Sequence, residues 1–146
     1  MAISEVTVVI RRSPGDVFGV LSDVENTSKW YPKPVTERWT SEGPVGVGST
    51  RRSEARAFGL RVKNDAEVTV FDRDQALGLK SISGAVPFDT IIRVNPVEEG
   101  SSVHWVTDLR PHGIFTVIVA LTMRAHTRTT RQGLLNLKAL MESGVL

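Results

Sequence analysis

The sequence contains no cysteine. Disulfide frameworks, thiolate metal sites and cysteine nucleophiles are excluded at once. A dominant charge is also missing: 18 Lys and Arg face 16 Asp and Glu, leaving +2 over 146 residues. Even with a sequence pI of about 9.3, so small an excess gives no electrostatic footprint for nucleic acid. Aromatic residues are scarce at 6%, with one Tyr and three Trp. Long apolar runs are absent. The longest, Ile114 to Met123, is broken by Thr116 and Thr122, and it is about half the ~20 residues of a membrane span. Stable membrane insertion is therefore not expected. The opening MAISEVTVVIRR has an early acid and no stretch resembling a signal peptide, so a cytoplasmic protein is the expectation. Gly46-Val47-Gly48 falls in a hairpin turn and opens no helix, which excludes a dinucleotide fingerprint.

What is present is 40% hydrophobic and 23% charged residues, the composition of a globular chain. No repeat, low-complexity tract or linker divides it, and one domain over residues 1–146 is expected. Ser4 to Arg12 alternates, with Val6, Val8 and Ile10 on one face of a strand. Ser13 is a good N-cap, Pro14 suits the first helical position and Asp16 is an acid in the first turn, so a short helix should run over Pro14–Leu21. Asp23 can cap a second short helix ending near Trp30, where Pro32 and Pro34 stop it. From Val35 to Arg110 the period is two. Turn signals fall at Glu42-Gly43-Pro44, Phe58-Gly59, Asp72-Arg73-Asp74, Gly84-Ala85 and Glu98-Glu99-Gly100. After Pro111-His112-Gly113 the period becomes helical and stays so to about Met141.

Charge tests the register of the hairpins. Setting Ala57 against Leu60 puts Glu54 opposite Lys63 and Arg52 opposite Asp65. Setting Phe71 against Ala76 puts Glu67 opposite Lys80, and Ser83 against Val86 puts Lys80 opposite Asp89. All four opposite-charge pairs fall on one face, and a one-residue slip would turn them inward. The inner face then carries Ala55, Leu60, Val62, Ala66, Val68, Val70, Leu77 and Leu79, followed by Val86, Phe88, Ile92, Val94, Val103, Trp105 and Leu109. Arg51, Ser53, Asn64, Ser81, Ser83, Thr90 and Thr107 are interspersed. Buried polar groups need partners. So polar an inner face implies either a ligand-filled or solvated cavity, or a core satisfied internally and by buried water.

The order is strand, two short helices, six hairpin-linked strands and one long helix. It resembles the α+β helix-grip fold of the START/Bet v 1-like (SRPBCC) superfamily. Ile10-Arg11-Arg12-Ser13-Pro14-Gly15-Asp16-Val17-Phe18 is similar to the superfamily's I-x-x-x-P-x-x-V-F/W opening. Leu21-Ser22-Asp23 with Trp30-Tyr31-Pro32 resembles L-x-D…W-x-P. Gly43-Pro44-Val45-Gly46-Val47-Gly48 resembles the G-P-x-x-x-G turn of the polyketide cyclase/dehydrase branch, and Asn136 to Glu142 resembles the end of the last helix. The resemblance implies a seven-stranded curved antiparallel sheet, two short helices after strand 1, and a long C-terminal helix packed across the sheet over a cavity. It also implies a hydrophobic small-molecule ligand: a lipid, a polyketide or another aromatic or polycyclic compound. It transfers no catalytic residue. The oxygenase members need two His and a carboxylate on a metal. His104, His112 and His126 lack that spacing, so neither a metal nor another cofactor is expected.

The pocket-lining candidates follow from these faces. Trp30, Trp39, Phe88 and Trp105 offer flat apolar surface, although Trp30 also suits a core position beneath the short helices. Glu37 and Arg51 are expected to form an inward ion pair, directly opposed when Trp39 faces Ser49. Ser53, Asn64, Ser81, Thr90 and Thr107 are polar anchors. On the last helix, Val119, Met123, Thr130, Leu134, Leu137 and Met141 share one stripe, with Met123, His126 and Thr130 at its upper part. His126 could hydrogen-bond a ligand or exchange a proton, or lie at the helix edge. Arg124, Arg128 and Arg131 form a basic stripe on the opposite side, suited to solvent, an anionic lipid surface or an acidic partner. Ile114, Phe115, Val117, Ile118 and Leu121 call for cover by a pocket mouth, a membrane or a homodimer partner. Three functions remain open: a carrier or sensor, a cyclase/dehydratase-type enzyme using Glu37, Arg51 or His126, and an interaction module using the apolar start of the last helix.

Overall fold

The computed structural model describes residues 2–57 and 59–146. Strand β1 (Ala2–Ile10) buries Ser4, Val6, Val8 and Ile10 in strict alternation. Its span is shifted two residues toward the amino terminus from the expected one. The chain bends at Arg11-Arg12, and the Arg12 amide donates to the Ile10 carbonyl at 2.9 Å. Helix α1 (Pro14–Ser22) starts as its sequence dictates: the Asp16 amide donates to Ser13 Oγ at 3.2 Å, and Pro14 takes the first turn. Asp23 caps a 3-10 turn (Val24–Asn26), and helix α2 (Thr27–Trp30) follows.

The remaining strands are β2 (Val35–Trp39), β3 (Thr50–Ala57), β4 (Leu60–Asp72), β5 (Ala76–Ser83), β6 (Phe88–Val97) and β7 (Gly100–Leu109). Together with β1 they form one antiparallel sheet in the order β1-β7-β6-β5-β4-β3-β2. All four opposite-charge pairs form in register: Glu54 with Lys63, Arg52 with Asp65, Glu67 with Lys80, and Lys80 with Asp89. The Phe58-Gly59 turn includes Phe58, outside the described residues; Ala57 pairs with Leu60 as expected.

Two bulges in β4–β5 overturn part of the inner-face assignment. The register shifts between Val68 and Val70, so Phe71 pairs with Leu77 and Asp72 with Ala76, rather than Phe71 with Ala76. The extra residue changes the parity. Phe71, and not Val70, now shares the row of Leu77, and its ring meets Phe18 edge-on at 5.5 Å. A second shift lies between Asp65 and Ala66. It turns Ser83 outward, where its hydroxyl donates to Asp65 Oδ2 at 2.9 Å. Leu60, also expected inside, is 69% exposed beside the β3–β4 turn.

Helix α3 (Ile114–Glu142) closes the fold. Leu134, Leu137 and Met141 are fully buried on its inner stripe, together with Val119 and Thr130. Its lower half is fastened along β1. Ser4 Oγ meets Thr127 Oγ1 at 2.9 Å, Lys138 Nζ donates to the Val9 carbonyl at 2.8 Å, and the Arg11 amide donates to Glu142 Oε2 at 2.9 Å. Helix and strand therefore run in step. Above Thr127 they part. Ile114 lies about 20 Å further along the helix, whereas β1 begins only about 7 Å beyond Ser4. The first turns of α3 thus overhang the β1 edge, and of residues 114–122 only Val119 is buried.

Candidate functional site: a polar cleft under the overhanging helix

The β2–β3–β4 part of the sheet, at the other end of the strand order from β1, supplies two adjacent inward rows. The first is Trp39, Arg51, Ala66 and Ser81; the second is Glu37, Ser53 and Asn64. Arg51, Ser53, Asn64, Ser81, Phe88 and Trp105 all retain partial exposure although they point inward. Inward direction with residual exposure keeps these side chains within reach of a ligand. Two open pockets among the described residues lie elsewhere. One, about 610 Å³, lies between β1 and α3; the other, about 190 Å³, lies beside β2 and β3.

The expected ion pair is present in a different geometry. Trp39, rather than Glu37, stands opposite Arg51, because β2 pairs two residues further along than the loop closure at Ser49 assumed. Glu37 opposes Ser53, and Arg51 reaches it diagonally, Nη1 to Oε2 at 3.2 Å, with side-chain exposures of 15% and 8%. The guanidinium N–H does not point at that oxygen, so Oε2 is near the charge yet receives no hydrogen bond. Burial lowers the Arg51 pKa from its ordinary value, opposed by the nearby Glu37. Tyr31, which the sequence reading missed, is half-buried close by. Burial, and then the Glu37 charge, raises its phenol pKa. The W-Y-P context that marks the end of α2 was its only sequence signal.

The tryptophans divide. Trp30 is 4% exposed. Its ring meets Trp105 edge-on at 6.0 Å, and a Cβ on Gly133 of α3 would lie 3.2 Å from its Cζ3. It closes the core, with Nε1 lacking an acceptor. Trp39 and Trp105 are half-buried and pack against the core edge. Thr90 and Thr107 are buried and bonded to each other at 3.0 Å, and Trp105 Nε1 donates to Thr107 Oγ1 at 3.2 Å. Those hydroxyls satisfy the protein itself. Ser81 Oγ accepts from the Phe88 amide at 2.9 Å and braces the β5–β6 turn. Asn64 lies under the same turn, its Oδ1 in the space that a Cβ on Gly84 would fill. Thr130 Oγ1 donates to the His126 carbonyl one turn back at 3.2 Å. Met123 is half-buried in the β1–α3 groove.

His126 is the unsatisfied group of the helix. Nε2 is buried without a partner, and burial, followed by the Lys33 charge, lowers its pKa and holds the ring neutral. A neutral imidazole, a carboxylate oxygen without a donor and a guanidinium with spare N–H groups are what the cleft region offers a polar ligand.

A curved antiparallel sheet gripping a long helix, with an accessible polar row between them, defines the helix-grip class. The chain belongs to the family described as polyketide cyclase/dehydrase and lipid transport, whose model matches residues 1–142. Solved structures share the fold. The protein TTHA0849 from Thermus thermophilus superposes with a TM-score of 0.81 at 16% identity, covering 97% of this chain and 99% of that one. CV1439 from Chromobacterium violaceum gives 0.75 at 19% identity, covering 96% and 97%. Ara h 8.0201 gives 0.64 at 14% identity, covering 92% and 97%, and makes the fold Bet v 1-like. No curated protein matches the sequence. Among the described residues no helix is long and apolar enough to cross a membrane.

Proposed function

We propose that the chain binds a hydrophobic small molecule in the cleft between the β2–β3–β4 lobe and the upper half of α3, as a carrier or sensor. The family supports hydrophobic ligand binding in general. The observation that carries the site is Glu37 Oε2, buried beside Arg51 and lacking a hydrogen-bond donor. A buried acceptor without a donor costs about 1–3 kcal/mol, and a ligand hydroxyl or amide would recover it. Phe88, Trp39 and Trp105 would hold the apolar body, and Ser53 and Asn64 flank its polar end. A lipid, a polyketide or another polycyclic compound carrying one hydrogen-bond donor meets this description. The cytoplasmic setting expected from the sequence belongs to the same proposal. The test is native mass spectrometry of the purified protein for a co-purifying compound, with displacement of an apolar fluorescent probe. Probe binding that is saturable and competed by a fatty acid or flat aromatic supports the site; no saturable binding rejects it.

A cyclase/dehydratase-type activity is the second reading, favoured by one observation. His126 is kept neutral by burial with Nε2 unpartnered, the state a general base requires. An enzyme would lose turnover in His126→Gln while retaining ligand; a carrier would lose nothing but affinity.

A further inference from the structure

We propose that the overhanging start of α3 docks on an anionic lipid bilayer, with its apolar turns in the acyl boundary and its arginines at the phosphates. This goes beyond the ligand reading and does not depend on it. Ile114, Val117, Ile118 and Leu121 are 72%, 59%, 42% and 80% exposed. Ile114, Val117, Leu121, Arg124, Arg128 and Arg131 follow alternating spacings of three and four, which places them on one face of the helix. That face turns away from the buried stripe of Leu134, Leu137 and Met141, and its three arginines flank the groove between α3 and β1. The helix has no acidic residue before Glu142. Among the described residues none of the three arginines has a carboxylate within ion-pair distance.

Charge selects the occupant. A second copy aligned parallel along this stripe would set arginine against arginine, and one aligned antiparallel would set Arg131, Arg128 and Arg124 against the apolar Ile114, Val117 and Leu121. Pairing only the two apolar turns would bury far less than the about 800 Å² per partner of a stable interface. An anionic surface satisfies both halves. With the helix end-on to the surface, Ile114 to Leu121 spans about 10 Å of depth, comparable to the ~5–10 Å that apolar side chains reach at the headgroup/acyl boundary. Arg124 follows one turn above, at the depth of phosphates. The register brings further apolar side chains to the same end of the sheet: Ile3 at the start of β1, Leu60 at the start of β4 and Ile82 near the end of β5, exposed by 54%, 69% and 57%. They come from separate elements and form a broad rim. A flat fluid surface meets such a rim; a single peptide helix would meet only α3.

The experiment is co-sedimentation of the full chain with vesicles of phosphatidylcholine alone, or with about one third phosphatidylserine. Association is expected with the anionic vesicles only, and it should weaken with salt. Arg124→Gln, Arg128→Gln and Arg131→Gln should each weaken partitioning roughly fivefold. Val117→Asp with Leu121→Asp should abolish it. All five positions are exposed, and circular dichroism checks that the variants stay folded. Glu37→Leu with Arg51→Met should leave vesicle binding unchanged, which separates this surface from the ligand site. No binding to anionic vesicles, or undiminished binding by the triple Gln variant, overturns the proposal. Self-association broken by Leu121→Asp without vesicle binding would assign the face to a second copy. Binding to polyglutamate but not to vesicles would assign it to an acidic protein; either result overturns the proposal.

Discussion

Removing Arg51 alone, as Arg51→Met, leaves the Glu37 carboxylate at 8% exposure with its nearest countercharge gone. Breaking a buried ion pair from one side costs about 3–5 kcal/mol, because the surviving charge is stranded. Here the pair is imperfect. The contact is 3.2 Å but donates no hydrogen bond to Oε2, and Arg51 keeps 15% of its side-chain exposure. The lower end, about 3 kcal/mol, is therefore expected. For a chain of this length that lowers the melting temperature by about 6–12 °C. Glu37→Leu alone strands the guanidinium and should cost somewhat less, since Arg51 is nearer water. Glu37→Leu with Arg51→Met removes both charges and should return to within about 1 kcal/mol of the parent, as apolar replacements of buried pairs commonly do. Urea unfolding of the four proteins measures the cycle. Probe displacement on the folded double variant measures the anchor, where a loss of at least tenfold, about 1.4 kcal/mol, is expected. Single variants that each cost under about 1 kcal/mol and add without coupling would refute the electrostatic argument. Unchanged affinity in the double variant would remove the pair from the site.

Gly100→Ala should destabilise by about 3 kcal/mol or more in urea unfolding, because Gly100 has φ 143° and a Cβ would sit 2.5 Å from the Ile10 carbonyl oxygen. Hydrogen bonds from Arg52 and Ser83 lower the Asp65 pKa to about 2. Its contribution is full above the unfolded carboxylate value near ~4 and is lost as pH falls toward about 2. Asp65→Asn should therefore flatten the acid limb of a stability–pH curve and lower stability at neutral pH; an unchanged acid limb would contradict the network. His126 has the same sense in a higher pH window, since burial lowers its pKa. The unfolded chain takes up the proton first, so stability falls as pH drops below ~6.5. His126→Gln should lose less stability than the parent over that window, and equal slopes would show that the ring is solvated.

The sequence by itself determined the element order, the caps and most of the sheet register. Those signals are local: Ser13 and Asp23 bond to amides two or three residues on, and charges across a hairpin face each other once the turn is placed. Turn chemistry and period two thus carried the reading from Val35 to Leu109, and the inner stripe of α3 followed from its 3.6 period. Tertiary structure decided what depends on an inserted residue or on distance. The bulges at Thr69 and near Ile82 follow from no residue pattern, yet they exchange Val70 for Phe71 inside and turn Ser83 out. The two-residue offset of β2 against β3 made the Glu37–Arg51 pair diagonal, because a loop as long as Ser41–Ser49 does not fix register as a tight turn does. Which polar inner residues are free was equally invisible. Thr90, Thr107, Ser81 and Thr130 bond within the protein, whereas Glu37 Oε2 and His126 Nε2 do not. The length by which α3 outruns β1 completes that list. It follows from where Ser4 and Thr127 meet, 123 residues apart in sequence, and only a folded chain sets that contact.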